Sequence, residues 1–471
     1  MKKEDICFMS ACDMADKIKT QELTSVEITE AIIDRIEKIN PIINAYCTTT
    51  FNLSREMAKK ADDAVKKGEK LGILHGLPTS IKDLTDTKGI RTTHGSKIYE
   101  DFIPEEDNLT VSKLKDAGIV ILGKTNTPED GHKSVTDNLI FGETKNPWHL
   151  ERTCGGSSGG AAAAVASGLG PLALGSDGGG SIRTPSSLCG VYGLKPNFGR
   201  IARNFDHMAF CTLSHYGPIV RYVKDAALML DAMAGPNFID KYSLYQGKND
   251  FVKALEVKPK KIKIGYSMNL GFVKAVDKEV EKCVLNAVQK FENFDWSVEE
   301  VNLKLKKVER SFAIMVTAAL AYDYKSLMNK WRDKITPTLV RLIDAGMNYN
   351  ALDLISAESQ RQAIEKIIYR YFKNYDILIT PTNAAPAFEL GAMFPPIING
   401  INVSPVTWHA FALPFNISWN PAASIPCGWN KEGLPIGMQI VGKLWNESIV
   451  LQVSKAFEEI APWQDKKPNF K

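Results

Sequence analysis

The sequence predicts an α/β protein, with strands and helices alternating around a sheet. Three stretches carry that expectation. "VSKLKDAGIVILGKTNTPE" (111–129) reads as a helix, a stop at Gly118, a strand and a loop. "KIKIGYS" (261–267) is strand-like, "DKEVEKCVLNAVQKFEN" (277–293) is an amphipathic helix, and "VEEVNL" (298–303) returns as a strand, a βαβ-like unit. "YDILITPT" (375–382) has the continuous apolar run of a buried strand and ends in a proline loop.

The other elements follow along the chain. Thr24 to Glu27 forms a capping box ahead of "VEITEAIIDRIEKIN", whose apolar positions recur at helical spacing, and Pro41 is expected to stop that helix. "ADDAVKKGEK" (61–70) is a second, polar helical stretch. "HGLPTSIKDL" (75–84) is a turn leading into a short apolar segment that carries Lys82. Residues 153–200 are rich in Gly, Ser and Ala, yet "AAAAVA" and "LALG" can pack, so a flexible linker is excluded. They predict a loop, a close-packed helix of small residues, a short strand and a second glycine loop. "PAASIPCGW" (421–429) and "PIGMQIVG" (435–442) predict a closing pair of strands. No internal repeat or long linker divides the chain, so residues 1–471 are expected to form a single domain.

Composition narrows the function. The 58 basic and 54 acidic residues nearly cancel, and no basic stripe of the kind that binds nucleic acid appears. The longest basic cluster, Lys258 to Lys263 in "KPKKIK", runs into an apolar strand pattern and is read as a solvated lead-in. The eight cysteines lack CxxC pairing or metal-ligand spacing, so neither a disulfide framework nor a zinc site is expected. The N-terminus has no uninterrupted apolar segment and no stretch reaches ~18 uncharged apolar residues. No signal peptide or membrane span is expected, and a cytoplasmic protein is.

Two glycine-flanked serine loops stand out: "GGSSGG" with Ser157 and Ser158, and "DGGGSIR" with Ser181. A phosphate cradle is one reading, but neither loop has the ending of a P-loop or a dinucleotide fingerprint. Gly155-Gly156-Ser157-Ser158-Gly159 formally satisfies a GxSxG nucleophile elbow. That motif needs a buried strand before it, and "KNPWHLERTC" is polar and broken by proline. Its acid and histidine would come from Asp206, His207, His215 or His409, with nothing to single one out. The third reading joins both serines to Lys82. Bare N–H groups of Gly178, Gly179, Gly180 and Ser181 would form an oxyanion hole around a carbonyl attacked by Ser181. A serine needs a base, and a lysine made neutral by burial can be one, with Ser157 bridging the two.

These residues carry a resemblance. "GGSSGGAAAAVASG" followed by "ALGSDGGGSIRTP…CGVYGLKP" resembles the signature block of the amidase signature family. "HGLPTSIKD", "GKTNTPE", "GETKNPW" and "PFNISWNPAASIPCG" resemble its other stretches in the same order, over residues 10–465 with a signature core at about 70–235. The separations, 75 residues from Lys82 to Ser157 and 24 from Ser157 to Ser181, are also similar.

The resemblance implies an α/β/α sandwich around a large mixed β-sheet. It implies hydrolysis of a carbon–nitrogen amide bond, with esters, carbamates or anilides as further substrates and no metal or organic cofactor. Ser181 would be the acyl-forming nucleophile, Ser157 a proton relay after a cis peptide bond to Gly156, and Lys82 the general base. Ser158, Asp177 and Arg183 would support the triad, and Asp83 would either charge Lys82, cap a loop or face solvent. Relatives often have proline at the position of Cys154, which is therefore read as a packing substitution; Cys189 is read as a core thiol. The loop "PEDGHKSVTDN" (128–138) lines the acyl pocket in similar proteins, so Asp130 and His132 are candidates for binding a polar part of the substrate. Trp408, Phe411 and Trp419 are candidate apolar walls. The partner expected is a small-molecule amide, with homodimers common among relatives. Two alternatives remain. One is the glutamine-hydrolysing component of a tRNA-dependent amidotransferase, from which the "PFNISWNPAASIPCGW" tail differs. The other is a non-catalytic binding protein on the same fold.

Overall fold

The computed structural model describes residues 1–204, 211–245 and 250–470. Among these, eleven strands share one mixed sheet: β1 (Tyr46–Thr49), β2 (Pro78–Lys82), β3 (Val120–Thr125), β4 (Leu172–Asp177), β5 (Tyr192–Lys195), β6 (His215–Val220), β7 (Lys263–Tyr266), β8 (Ser297–Glu300), β9 (Ile377–Pro381), β10 (Ala422–Trp429) and β11 (Pro435–Gly442). Their order across the sheet is β1-β3-β2-β4-β6-β5-β10-β11-β9-β7-β8. β2 runs parallel to β3 and β4, and β7 runs parallel to β8 and β9. The remaining neighbours are antiparallel.

The period-two alternation of the strands builds two cores. Ile377 and Ile379 of β9, Ala423 and Ile425 of β10, and Met438 and Ile440 of β11 face one of them. That core also holds Ile28, Ile32 and Ile36 of the helix Ser25–Ile43, and Val280, Val284 and Val288 of the helix Lys278–Lys290. Leu378, Ala422 and Val441, one residue out of phase, face the other. There they meet the helices Val308–Tyr324, Pro337–Gly346 and Ala351–Tyr371 together with Trp408, Phe411 and Phe415. The result is the expected α/β/α sandwich.

The capping box forms as expected. Thr24 N–H donates to Glu27 Oε2 at 2.8 Å, and Glu27 N–H donates to Thr24 Oγ1 at 3.0 Å. Pro41, however, does not stop the helix, which continues to Ile43. Its missing N–H falls in the last turn, and Asn44 closes the helix in the left-handed region (φ 53°), donating its N–H to Asn40 O at 2.7 Å. The closing pair β10–β11 and the βαβ unit β7–helix–β8 both form.

Candidate active site

The site lies at the carboxyl ends of β2 and β4. These strands are parallel neighbours, with Ile81 opposite Leu174, so the residues leaving them emerge side by side. Lys82 ends β2, and the Asp177–Ser181 turn leaves β4 and enters the helix Arg183–Cys189. The other glycine–serine loop enters the helix Gly159–Ala166, every residue of which is buried. A Cβ on Gly160 would lie 2.4 Å from Asn126 N and 2.5 Å from Ala45 O, so backbone packs directly on backbone there. That contact explains the run of small residues. The Gly156–Ser157 peptide is cis, as the resemblance implied.

Three hydrogen bonds of Ser158 knit the loops together. Its N–H donates to Ser181 O at 3.1 Å, which sets Ser157 and Ser181 on adjoining backbone. Its hydroxyl donates to Ser176 O at 3.1 Å and accepts from Ser176 N–H at 3.3 Å.

Lys82 is fully buried, with Nζ 2.6 Å from Ser157 Oγ and 3.0 Å from Ser176 Oγ. Burial lowers its pKa from 10.5 to about 7, and the negative charge of Asp177 opposes the shift. A lysine poised near neutrality, in contact with a serine hydroxyl, can take and return a proton. Ser176 was not singled out from the sequence. Asp83 caps a loop: both carboxylate oxygens accept from Thr93 N–H at 3.2 Å, and Thr93 Oγ1 donates to Oδ2 at 2.5 Å.

Asp177 and Arg183 form an ion pair with no exposure to solvent. Arg183 donates to both carboxylate oxygens at 2.9 Å and also reaches Ala412 O, Gln439 Oε1 and Asn416 Oδ1. Desolvation would raise the Asp177 carboxyl, but the Arg183 guanidinium holds it well below the usual carboxylate range. Asp177 also accepts the N–H groups of Gly180 at 2.7 Å and Ile182 at 3.2 Å. This pair therefore shapes the turn that presents Ser181. It also corrects one expectation, because the N–H of Gly180 is taken up by Asp177. Among the described residues, the N–H groups of Gly178, Gly179 and Ser181 have no such partner.

The glycines have two distinct reasons. Gly180 has φ +109°, and a Cβ there would meet Ala412 Cβ at 2.7 Å. A Cβ on Gly179 would meet Phe312 Cζ at 2.5 Å.

Ser181 and Gly179 open into a cavity of about 400 Å³, walled by the 131–134 loop, the helices Val308–Tyr324 and Pro337–Gly346, and residues 393–409. His132 lines it. Its Nδ1–H donates to Glu129 O at 2.6 Å, and its Nε2 accepts from Thr338 Oγ1 at 2.7 Å. Burial lowers its pKa to about 3, so the ring is neutral. Asp130 is not in the lining: φ is +50°, and its carboxylate accepts from Tyr324 Oη at 2.7 Å. Trp408 is in the wall, whereas Phe411 sits in the core and Trp419 stacks on Phe198 at 4.5 Å.

The nucleophile-elbow reading fares poorly. The strand before Ser157, His149–Thr153, lies outside the main sheet: it pairs with Lys145–Asn146, bridges through Arg152 to Glu389, and is partly exposed. His409 lines the cavity, with its pKa lowered by burial to about 4. His215 is buried, with Nδ1 3.2 Å from Asp177 O. Asp206 and His207 lie outside the described residues. Cys154 donates its thiol to Thr144 O at 3.3 Å, and burial pushes its pKa up to about 12. It is a packed thiol, as is the buried Cys189. Among the described residues, no group of three or more His, Cys, Asp or Glu side chains could hold a metal, and no helix is long and apolar enough to cross a membrane.

The chain resembles known proteins over nearly its whole length. The family model described as Amidase matches residues 27–451. An acylamidase of Rhodococcus erythropolis is 37% identical over 473 residues, covering 99% of this chain and 98% of the relative. The A-type subunit of the glutamyl-tRNA(Gln) amidotransferase of Carboxydothermus hydrogenoformans is 35% identical, covering 98% of this chain and 99% of the relative. The crystal structure of a bacterial aryl acylamidase of the amidase signature family superposes with a TM-score of 0.92 at 31% identity, covering 97% of each chain. This chain belongs to the amidase signature family and is an enzyme that hydrolyses carbon–nitrogen bonds of amides other than peptides.

Proposed function

We propose that the reaction runs through an acyl-enzyme on Ser181, with Ser157 and Lys82 as its proton path. The observation that carries this reading is the 2.6 Å contact between Ser157 Oγ and a buried lysine of pKa about 7, beside a cavity lined by Ser181. Neutral Lys82 accepts a proton from Ser157 as Ser157 takes the one on Ser181 Oγ. Ser181 then attacks the amide carbonyl. The N–H groups of Gly178, Gly179 and Ser181 stabilise the oxyanion, without Gly180. Collapse of the tetrahedral species passes the proton from Lys82 through Ser157 to the departing amine, and water releases the acid by the reverse path. Ser158 and the Asp177–Arg183 pair hold the loops, and Ser176 holds Lys82.

The substrate is an amide of the acylamide or anilide kind whose apolar body fits walls such as Phe312, Val316, Leu342 and Trp408. His132, with both ring nitrogens engaged by Glu129 O and Thr338 Oγ1, adds a flat neutral face to that wall. The glutaminase reading finds support in the second relative, but among the described residues the cavity lining holds no Asp or Glu to pair with the α-ammonium of glutamine. A non-catalytic protein would not need the three residues kept together. We further read residues 1–471 as one cytoplasmic domain acting as a homodimer, without metal, organic cofactor, nucleic acid or membrane.

Labelling with a fluorophosphonate and peptide mapping test the reading. An adduct on Ser181, absent from Ser181→Ala, is expected. An adduct on Ser157 in the wild type would overturn it, and glutamine hydrolysis that requires a co-purified partner would favour the amidotransferase.

A further inference from the structure

The charges around the cavity are one-sided. Of the charged side chains in its lining, Lys133 is neutralised by Asp137 at 2.6 Å, and Arg341 has no acidic partner among the described residues. Arg341 lies one helical turn beyond Thr338, whose hydroxyl donates to His132 Nε2 across the cavity wall. The acid placed to pair with it along the same helix, Asp344, is held instead by both terminal nitrogens of Arg332, at 2.9 and 2.7 Å. The guanidinium of Arg341 is therefore an exposed cation, unpaired among the described residues, at the rim of a mainly apolar chamber. The other two titratable groups in the lining, His132 and His409, are both held neutral by burial.

We infer that Arg341 selects amides carrying a carboxylate at the end remote from the scissile bond. The apolar body fills the cavity, the amide carbonyl reaches Ser181, and the carboxylate stays at the wet rim, where the planar guanidinium can grip both its oxygens. Among the described residues the lining has no acidic side chain, which suits an anion of this kind and offers no partner to an ammonium on the same substrate. This inference rests on the acyl-enzyme reading above and adds the charge of the substrate to it.

The experiment uses two matched pairs, each exchanging a carboxylate for a methyl ketone of similar shape. On the amine side these are 4-acetamidobenzoate and 4-acetamidoacetophenone. On the acyl side they are succinanilate and N-phenyl-4-oxopentanamide. The quantity read is the ratio of kcat/KM, carboxylate over ketone, in the wild type, Arg341→Met and Arg341→Lys. A ratio of about fivefold in at least one pair is expected, the upper range for a solvent-exposed ion pair. It should fall to about one in Arg341→Met, persist in part in Arg341→Lys, and shrink with added salt. The pair that responds tells which half of the substrate carries the charge. A ratio of one in both pairs, or one that survives Arg341→Met, overturns the inference. Fluorophosphonate labelling of the same preparation separates the two levels. Labelled Ser181 without turnover of either carboxylate defeats only the charge assignment, whereas unlabelled Ser181 defeats the acyl-enzyme reading beneath it.

Discussion

If Lys82 is the base, its titration must appear in the rate. Burial brings the lysine from 10.5 to about 7, and only the neutral amine can accept the proton of Ser157. For a single group of that pKa, the neutral fraction is about 90% at pH 8, about 10% at pH 6 and about 1% at pH 5. The value of kcat/KM for an uncharged amide should therefore fall roughly 90-fold from pH 8 to pH 5 and level off above pH 8. Steady-state kinetics on an acyl anilide, in buffers of constant ionic strength from pH 5 to 10, measures this directly. The two histidines of the cavity add nothing to that limb, because burial lowers their pKa values to about 3 and about 4. A rate that stays flat down to pH 5 would remove Lys82 as the base. A limb that rises only near the ordinary lysine pKa would show that burial does not tune it.

The same burial has a thermodynamic side. Between pH 7 and 10.5 the unfolded chain binds a proton on Lys82 that the folded chain does not, so this group makes stability rise with pH through that window and leaves its full penalty below pH 7. A shift of that size corresponds to about 5 kcal/mol. Lys82→Met should therefore abolish turnover yet raise Tm at pH 6, by an advantage that narrows as pH approaches 10.5; a lower Tm at pH 6 would contradict this. Gly179→Val should abolish turnover while the protein stays folded by circular dichroism, because the new side chain collides with Phe312 beside the turn that presents Ser181. Normal turnover by that variant would sink the oxyanion assignment. Arg183→Met strands Asp177 in the core, and chemical denaturation should report a loss of about 3–5 kcal/mol. Ser176→Ala removes one of the two hydroxyls that touch Lys82, and should lower kcat more than it raises KM.

What could be read in the sequence, and what could not, divides along a physical line. The capping box at Thr24, the helix at 278–290 and the β10–β11 pair are set by neighbours in sequence, and their periodicities are visible in a window of a dozen residues. The residues proposed as the triad stood out for another reason: two dense glycine–serine loops drew the eye, and the resemblance to a family joined them to Lys82. The misses all depend on where a residue falls in the folded chain. Pro41 fails to stop its helix because it lies in the last turn, where little remains to disrupt. Asp130 turns from the cavity because Tyr324, 194 residues away, binds its carboxylate. Gly180 loses its N–H to Asp177, whose orientation is fixed by Arg183 and Asn416. The cavity walls at 308–346 were invisible as such, since a helix with a half-apolar face reads the same whether it covers a core or a substrate. The enzyme itself is divided in a similar way. The residues proposed for bond breaking lie between Lys82 and Arg183, on loops anchored to parallel strands, while most of those facing the substrate lie between Phe312 and His409. Substitutions in the second segment can thus change which amide is accepted without disturbing the proton path, and the unpaired Arg341 is where that separation is most exposed to test.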